Sequence, residues 1–244
     1  MRKLASVAIF AGIASMCMVR TTVSAEDNGV YVIGALHALH EEELHFGYDR
    51  LRDIIVAIDP AVVVLEVRPE ELSERQDTPG RPEYPAVLWA LLDEQAYEAV
   101  AMELGGDGFR KFSDSAGRLF AAFEKENPET VAWLARYRSA LTRVLVERWN
   151  DAADAEDEIT DDLMRGAYIV EAALRGSELA AVQQNWDGHM IRVAEETIRG
   201  NPHGKVLILG SYRNRHAFVD SLEKTFPDRM VDIASWLRNS GKSD

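Results

Sequence analysis

The stretch that decides the fold is Val30–Glu66, VYVIGALHALHEEELHFGYDRLRDIIVAIDPAVVVLE. Its opening, Val30-Tyr31-Val32-Ile33, is a short apolar run that stops at Gly34, the pattern of a buried strand. From Tyr48 onward Leu51, Ile54, Ile55 and Ile58 recur at helical spacing, and Asp59-Pro60 closes that helix, because a residue before proline avoids the helical region. Ala61 to Leu65 is apolar at every position, as in a strand covered by helices on both faces. A strand, a helical crossover and a strand predict two parallel strands. In an open parallel sheet ligands bind beyond the carboxyl ends of the strands, so His37 and Glu66 are expected on one rim.

Upstream, Arg2 and Lys3 precede an apolar stretch from Leu4 to Val19, and Val23-Ser24-Ala25 supplies small residues. This is the arrangement of a signal peptide, residues 1–25, cleaved before Glu26, with a periplasmic or secreted destination. The stretch is short for a membrane span and no later run approaches that length, so the exported chain is expected off the membrane. Cys17, the single cysteine of the 244 residues, lies in this leader. The remainder, 26–244, is then a disulfide-free chain that depends on one apolar core, and its length suits a single domain. The formal charge is −14, and losing Arg2, Lys3 and Arg20 from a leader with no acidic residue makes it about −17. Such a surface repels phosphate backbones, which argues against nucleic acid as a partner.

Downstream, Glu70 to Glu83, with Thr78-Pro79-Gly80 and Arg81-Pro82, reads as a polar rim loop or lid. A helix is predicted from about Pro85 to Tyr97, then a third strand, Ala99 to Met102, ending in Glu103 and a Gly105–Gly108 loop that fits neither a P-loop nor a dinucleotide fingerprint. From Phe112 to about Arg199 apolar residues such as Trp133, Tyr137, Leu141, Leu163 and Tyr168 keep helical spacing. This block, about 112–199, is a helical insertion between two halves of the sheet, expected to cover one side of it. The acidic run Asp151 to Asp162 lacks the ordered spacing of a calcium loop and reads as a solvated helix start. Lys205 to Leu209 is another buried strand ending at Gly210, Arg213 to about Lys224 a helix, and Met230 to Trp236 a strand or a helix. The fold class is therefore α/β, a mostly parallel central sheet flanked by helices.

Three strand ends deliver polar groups that can converge: His37 and His40, then Glu66 and Arg68, then Ser211, Arg213 and His216. Histidine, carboxylate and guanidinium on one rim suit acid/base or metal-assisted chemistry. Gly34 permits close backbone approach ahead of His37. Glu66 interrupts the most apolar strand and needs a partner, be it a metal, a proton or an arginine. Arg213 and His216 open a helix, whose N–H groups favour anions. His40 and His45 lie ~140° apart around a helix at ~100° per residue, too far round to share a metal from one face. His189, in Trp186-Asp187-Gly188-His189, serves equally well as a helix-surface residue.

The segment GALHALH, followed by a helix and DPAVVVLEVRPEE, resembles the opening of the TraB/PrgY/GumN proteins and their relatives, the Tiki proteases and erythromycin esterases. In that superfamily a Gly-x-x-His after the first strand and a glutamate ending the second line one site, positions held here by Gly34, His37 and Glu66. NWDGHMIRVAEETI followed by KVLILGSYRNRHAFVDSLE resembles the closing block, in which a strand ends in a second Gly-x-x-His. Gly210 matches, but Arg213 stands where the histidine is expected, with His216 further on, and Gly188-His189 replaces an arginine-asparagine pair. The likeness covers Val30 to Glu71 and Asn185 to Trp236. It implies a hydrolase of a small-molecule or peptide substrate, in which His37 and Glu66 activate water directly or through a divalent metal they ligate. Arg213, with Arg68 or His216, would stabilise the oxyanion; Gly34, His40, Gly210 and His189 would flank the site. The alternative is a non-catalytic haem- or metal-binding protein of the same fold, since the wider superfamily includes a haem binder.

Overall fold

The computed structural model describes residues 28–42, 45–78 and 80–240, so the leader lies outside the described residues. Four strands, β1 (Val30–Ala35), β2 (Val62–Leu65), β3 (Glu98–Ala101) and β4 (Val206–Ser211), form one sheet. All neighbours are parallel, in the order β1-β4-β2-β3. The fold is α/β, as expected from the alternation of apolar runs. The last strand in the chain sits between the first two, so Ile208 is in register with Val32 on one side and Val64 on the other.

Residues of alternating parity along the strands feed two cores. Tyr31, Ile33, Val63, Leu65, Leu207 and Leu209 pack on one face with α1 (Tyr48–Ile58) and α10 (Ile233–Ser240). Val32, Val62, Val64, Val206 and Ile208 pack on the other with Met190, Ala194, Ile198 and Phe218. Asp59 ends α1 in the left-handed conformation, φ 51°, where Pro60 forbids continuation.

The rim segment after β2 is more ordered than a plain loop. Pro69–Glu74 forms α2, because Pro69 sits at its first turn and Glu71 bonds back to Arg68 in a capping box. The helix expected from Pro85 to Tyr97 begins as a π-turn, Tyr84–Leu88, and continues as α3, Trp89–Gln95, ending early because Ala96 turns left-handed at φ 53°. The expected Gly105–Gly108 loop is instead the start of α4, Gly106–Glu126, whose first N–H donates to Glu70 Oε1 at 2.7 Å.

The insertion continues with α5 (Pro128–Arg148), α6 (Ala152–Ala155), α7 (Glu158–Arg175) and α8 (Ser177–Gly200). It covers both faces of the sheet and not one: Leu145, Trp149 and α6 join the first core, and α8 supplies Met190, Ala194 and Ile198 to the second. After β4 come α9 (Arg215–Thr225) and a bridge from Met230 to Val30, and the stretch left open between strand and helix supplies both that bridge and α10.

The acidic run also departs from a solvated helix start. Asp151 and Asp157 do cap α6 and α7, accepting from the N–H groups of Asp154 and Thr160. Glu156 and Asp161, however, are buried against Arg215. They close the outer edge of β1, where Glu156 accepts the Gly34 N–H at 3.0 Å and Arg215 Nε donates to the Val32 carbonyl at 3.1 Å.

Candidate active site

The carboxyl ends of β1, β2 and β4 open on a cleft of about 440 Å³ whose lining includes His37, Glu66, Ser211 and Arg213. Each of the three strand ends singled out in the sequence therefore contributes to one site. Leu36, Leu39 and Tyr212 give it an apolar side.

His37 opens a 3-10 turn, His37–Glu41, just past β1, and has φ 56°. Asp59, Arg75 and Ala96 share that left-handed conformation, but each of them ends a helix, where it is ordinary. His37 follows a strand, so no helix end accounts for its backbone. Its Nδ1 lies 2.8 Å from Glu83 Oε1, and the Glu83 side chain is fully buried. A carboxylate accepts, so Nδ1 carries the hydrogen in the neutral ring and Nε2 keeps its lone pair. The second Glu83 oxygen has no partner among the described residues.

Glu66 is buried and has both oxygens engaged. Oε2 accepts the Ser211 N–H at 2.5 Å, and Oε1 accepts Arg81 Nη2 at 2.9 Å. Arg81 also donates to the Glu66 carbonyl oxygen and, at 2.5 Å, to Glu103 Oε1. Burial works against the charge on Arg81, yet Glu66 and Glu103 outweigh it and raise its pKa above the ordinary arginine value. Burial pushes the Glu103 carboxyl up, with Arg81 opposing. The Arg81 guanidinium ties the ends of β2 and β3 together, and the Glu66 carboxylate joins β4 to them through Ser211.

Other expected site residues have different places. His40 is buried, with Nε2 accepting the Leu36 N–H at 2.9 Å and Nδ1 2.5 Å from the Phe46 carbonyl, so it staples the turn that carries His37. Arg68 pairs with Glu71 and stacks over Phe109 outside the cleft lining, because the capping box of α2 holds it. His216 falls beyond the start of α9 and packs edge-on against Tyr168 of α7, 5.0 Å between centroids, away from the cleft lining. His189 is half-buried on α8, also off the cleft. Gly34 is required by close approach, since a Cβ there would stand 2.7 Å from the Tyr212 Cα, and Gly210 leaves room beside Glu66.

Arg81 and Glu83 went unrecognised in the sequence, within a charged loop that looked solvent-facing. Glu103 carried the signal that marked Glu66, a carboxylate directly after a strand. A larger hollow of about 790 Å³, lined by Glu156, Asp161, Arg165, Arg215 and Asp220, lies off this rim, and these charged groups pair with one another.

Of the expected metal ligands, Glu66 already accepts one hydrogen bond on each oxygen, one of them from a guanidinium, and His37 Nδ1 is taken by Glu83. Among the described residues no three His, Cys, Asp or Glu side chains converge to hold a metal. No family model, curated protein or solved structure matches this chain.

Proposed function

We propose that the chain is an exported hydrolase working by metal-free acid/base chemistry, with His37 as general base and acid. The observation that carries this reading is the pair made by His37, in an unusual backbone conformation at the cleft wall, and the buried carboxylate of Glu83. Such a carboxylate fixes the ring and its tautomer and favours the imidazolium formed during turnover. The likeness of Gly34, His37 and Glu66 to the TraB, Tiki and erythromycin esterase motifs supports the same reaction class.

In this mechanism a water held in the cleft gives its proton to His37 Nε2 while its oxygen bonds to the substrate carbonyl carbon. The carbonyl π pair moves onto oxygen, and the Arg213 guanidinium stabilises that oxyanion. Collapse expels the leaving group, which takes the proton from Nε2. Glu66, hydrogen-bonded through both oxygens, acts as a positioning residue: it fixes the backbone of Ser211 and, through Arg81, the loop bearing Glu83.

The test is hydrolysis of an ester and peptide panel by wild type and variants. His37→Ala is expected to lower kcat by about 10²- to 10⁴-fold. Glu83→Gln should lower kcat with KM little changed, and Glu66→Gln should cost less than His37→Ala. Wild-type rates in His37→Ala on every hydrolysed substrate would overturn the mechanism. EDTA should leave the rate unchanged; loss restored by zinc or manganese would return His37 and Glu66 to the role of ligands.

A further inference from the structure

We infer that the substrate is an acidic peptide, laid along an arginine-lined trough that leads away from the His37 cleft; this rests on the hydrolase reading of that cleft. The cleft does not end at Arg213. Thr142, Tyr212 and Arg213 also wall a small hollow of about 40 Å³, which Arg138, Tyr168 and Glu171 close on its other side. Tyr168 and Glu171 in turn line a groove of about 260 Å³ between α7 and α8, with Arg175 on its wall. Shared walls make these three hollows neighbours in a row, the middle one the narrowest.

The charge along that row runs against the rest of the molecule. In a chain of net charge −14, Arg213, Arg138 and Arg175 meet one carboxylate, Glu171. Glu171 accepts Arg138 Nε at 2.6 Å and lies 3.1 Å from Arg175 Nη1. Arg213 has no carboxylate within ion-pair distance among the described residues; its Nε donates to the Tyr212 hydroxyl at 3.3 Å. Arg165, on the same groove, adds no surplus, because Asp162 and Asp220 hold it. Burial lowers the pKa of Arg175, and Arg138 adds to this against the pull of Glu171, as surplus positive charge should.

A concave strip of surplus arginine concentrates anions and offers each carboxylate a forked donor. Ile169, well exposed, and Leu179 give the groove apolar wall between the arginines. A chain alternating carboxylates with apolar side chains matches both features, whereas a small neutral ester leaves the trough unused. An acidic polysaccharide would meet the arginines but not the apolar wall.

The experiment is fluorescence anisotropy of the full chain with labelled (Glu-Leu)₃ and (Gln-Leu)₃ peptides, with oligogalacturonate as competitor. The acidic peptide is expected to bind about tenfold more tightly than the amide peptide and to weaken as salt rises. Arg175→Gln should weaken it several-fold, and Glu171→Gln, which frees two guanidiniums, should tighten it. Because these variants move in opposite directions, a folding defect in one does not mimic the result. Equal binding of the two peptides, no binding of either, insensitivity to both substitutions, or stronger binding of oligogalacturonate would each overturn the inference. Binding is read without turnover, so a protein that holds the acidic peptide yet hydrolyses nothing would refute the hydrolase reading and leave the trough as a binding site for that peptide.

Discussion

His40 shows how one side chain can matter to a site without touching substrate. Its two ring nitrogens satisfy the Leu36 N–H and the Phe46 carbonyl, buried backbone groups on either side of the turn that aims His37. Replacing it by alanine strands both, at about 1–3 kcal/mol each. His40→Ala is therefore expected to lower stability by roughly 2–6 kcal/mol in urea unfolding and to lower kcat as the turn loosens. Burial, outweighing the Phe46 bond, lowers the pKa of His40, and burial with Arg165 lowers that of His216. Both rings are thus held neutral in the folded state and charge more readily when unfolded. Their contribution is complete above the unfolded value of about 6.5 and is lost as pH falls below it, which a pH series of unfolding midpoints will read. The sequence pointed to His37 and Glu66 because a polar residue directly after an apolar run is a strong local signal. It was silent on Glu83 and Arg81, whose burial depends on the packing of a loop against residues distant in the chain.

At the scale of elements, Arg215 joins the first turn of α9 to the acidic run before and within α7. It donates to the Val32 carbonyl and pairs with Glu156 and Asp161, so helix, insertion and edge strand meet at one side chain. Arg213 and His216 stood out in the sequence and Arg215 did not. Helix α9 begins at Arg215, which leaves Arg213 in the turn at the rim and sends Arg215 and His216 beneath it. Burial pushes the Glu156 carboxyl up to about 8, against the pull of Arg215 and the Gly34 N–H. Its folded value exceeds the unfolded one, so the associated stability is full below about 4.5 and declines as pH rises through about 8. Glu156→Gln keeps the shape and removes the titration. The expected outcome is a flatter stability curve between those limits, measured by urea midpoints; an unchanged slope would contradict it.

For the whole molecule, strand existence and direction were legible because continuous β-branched runs separated by helical periodicity leave few alternatives. Strand order was not, since nothing local in Lys205 to Leu209 says that its neighbours are residues 30–35 and 62–65. The reach of the insertion over both faces was hidden for the same reason: helical stripes show that a face is buried, not what buries it. With a strand on each side and both faces buried, β4 tolerates substitution poorly. Ile208, wholly buried between Val32 and Val64, is expected to cost about 2–5 kcal/mol on change to alanine, by urea unfolding.

That central strand also fixes an order of events. Until residues 206–211 exist, an empty lane separates β1 from β2: β1 has no strand beside it, and β2 has only β3. A ribosome must deliver most of the chain before the first strand it made finds a partner. Closure of the sheet therefore waits until late in synthesis, and a chain released before residue 206 has only the β2–β3 pair on which to rest.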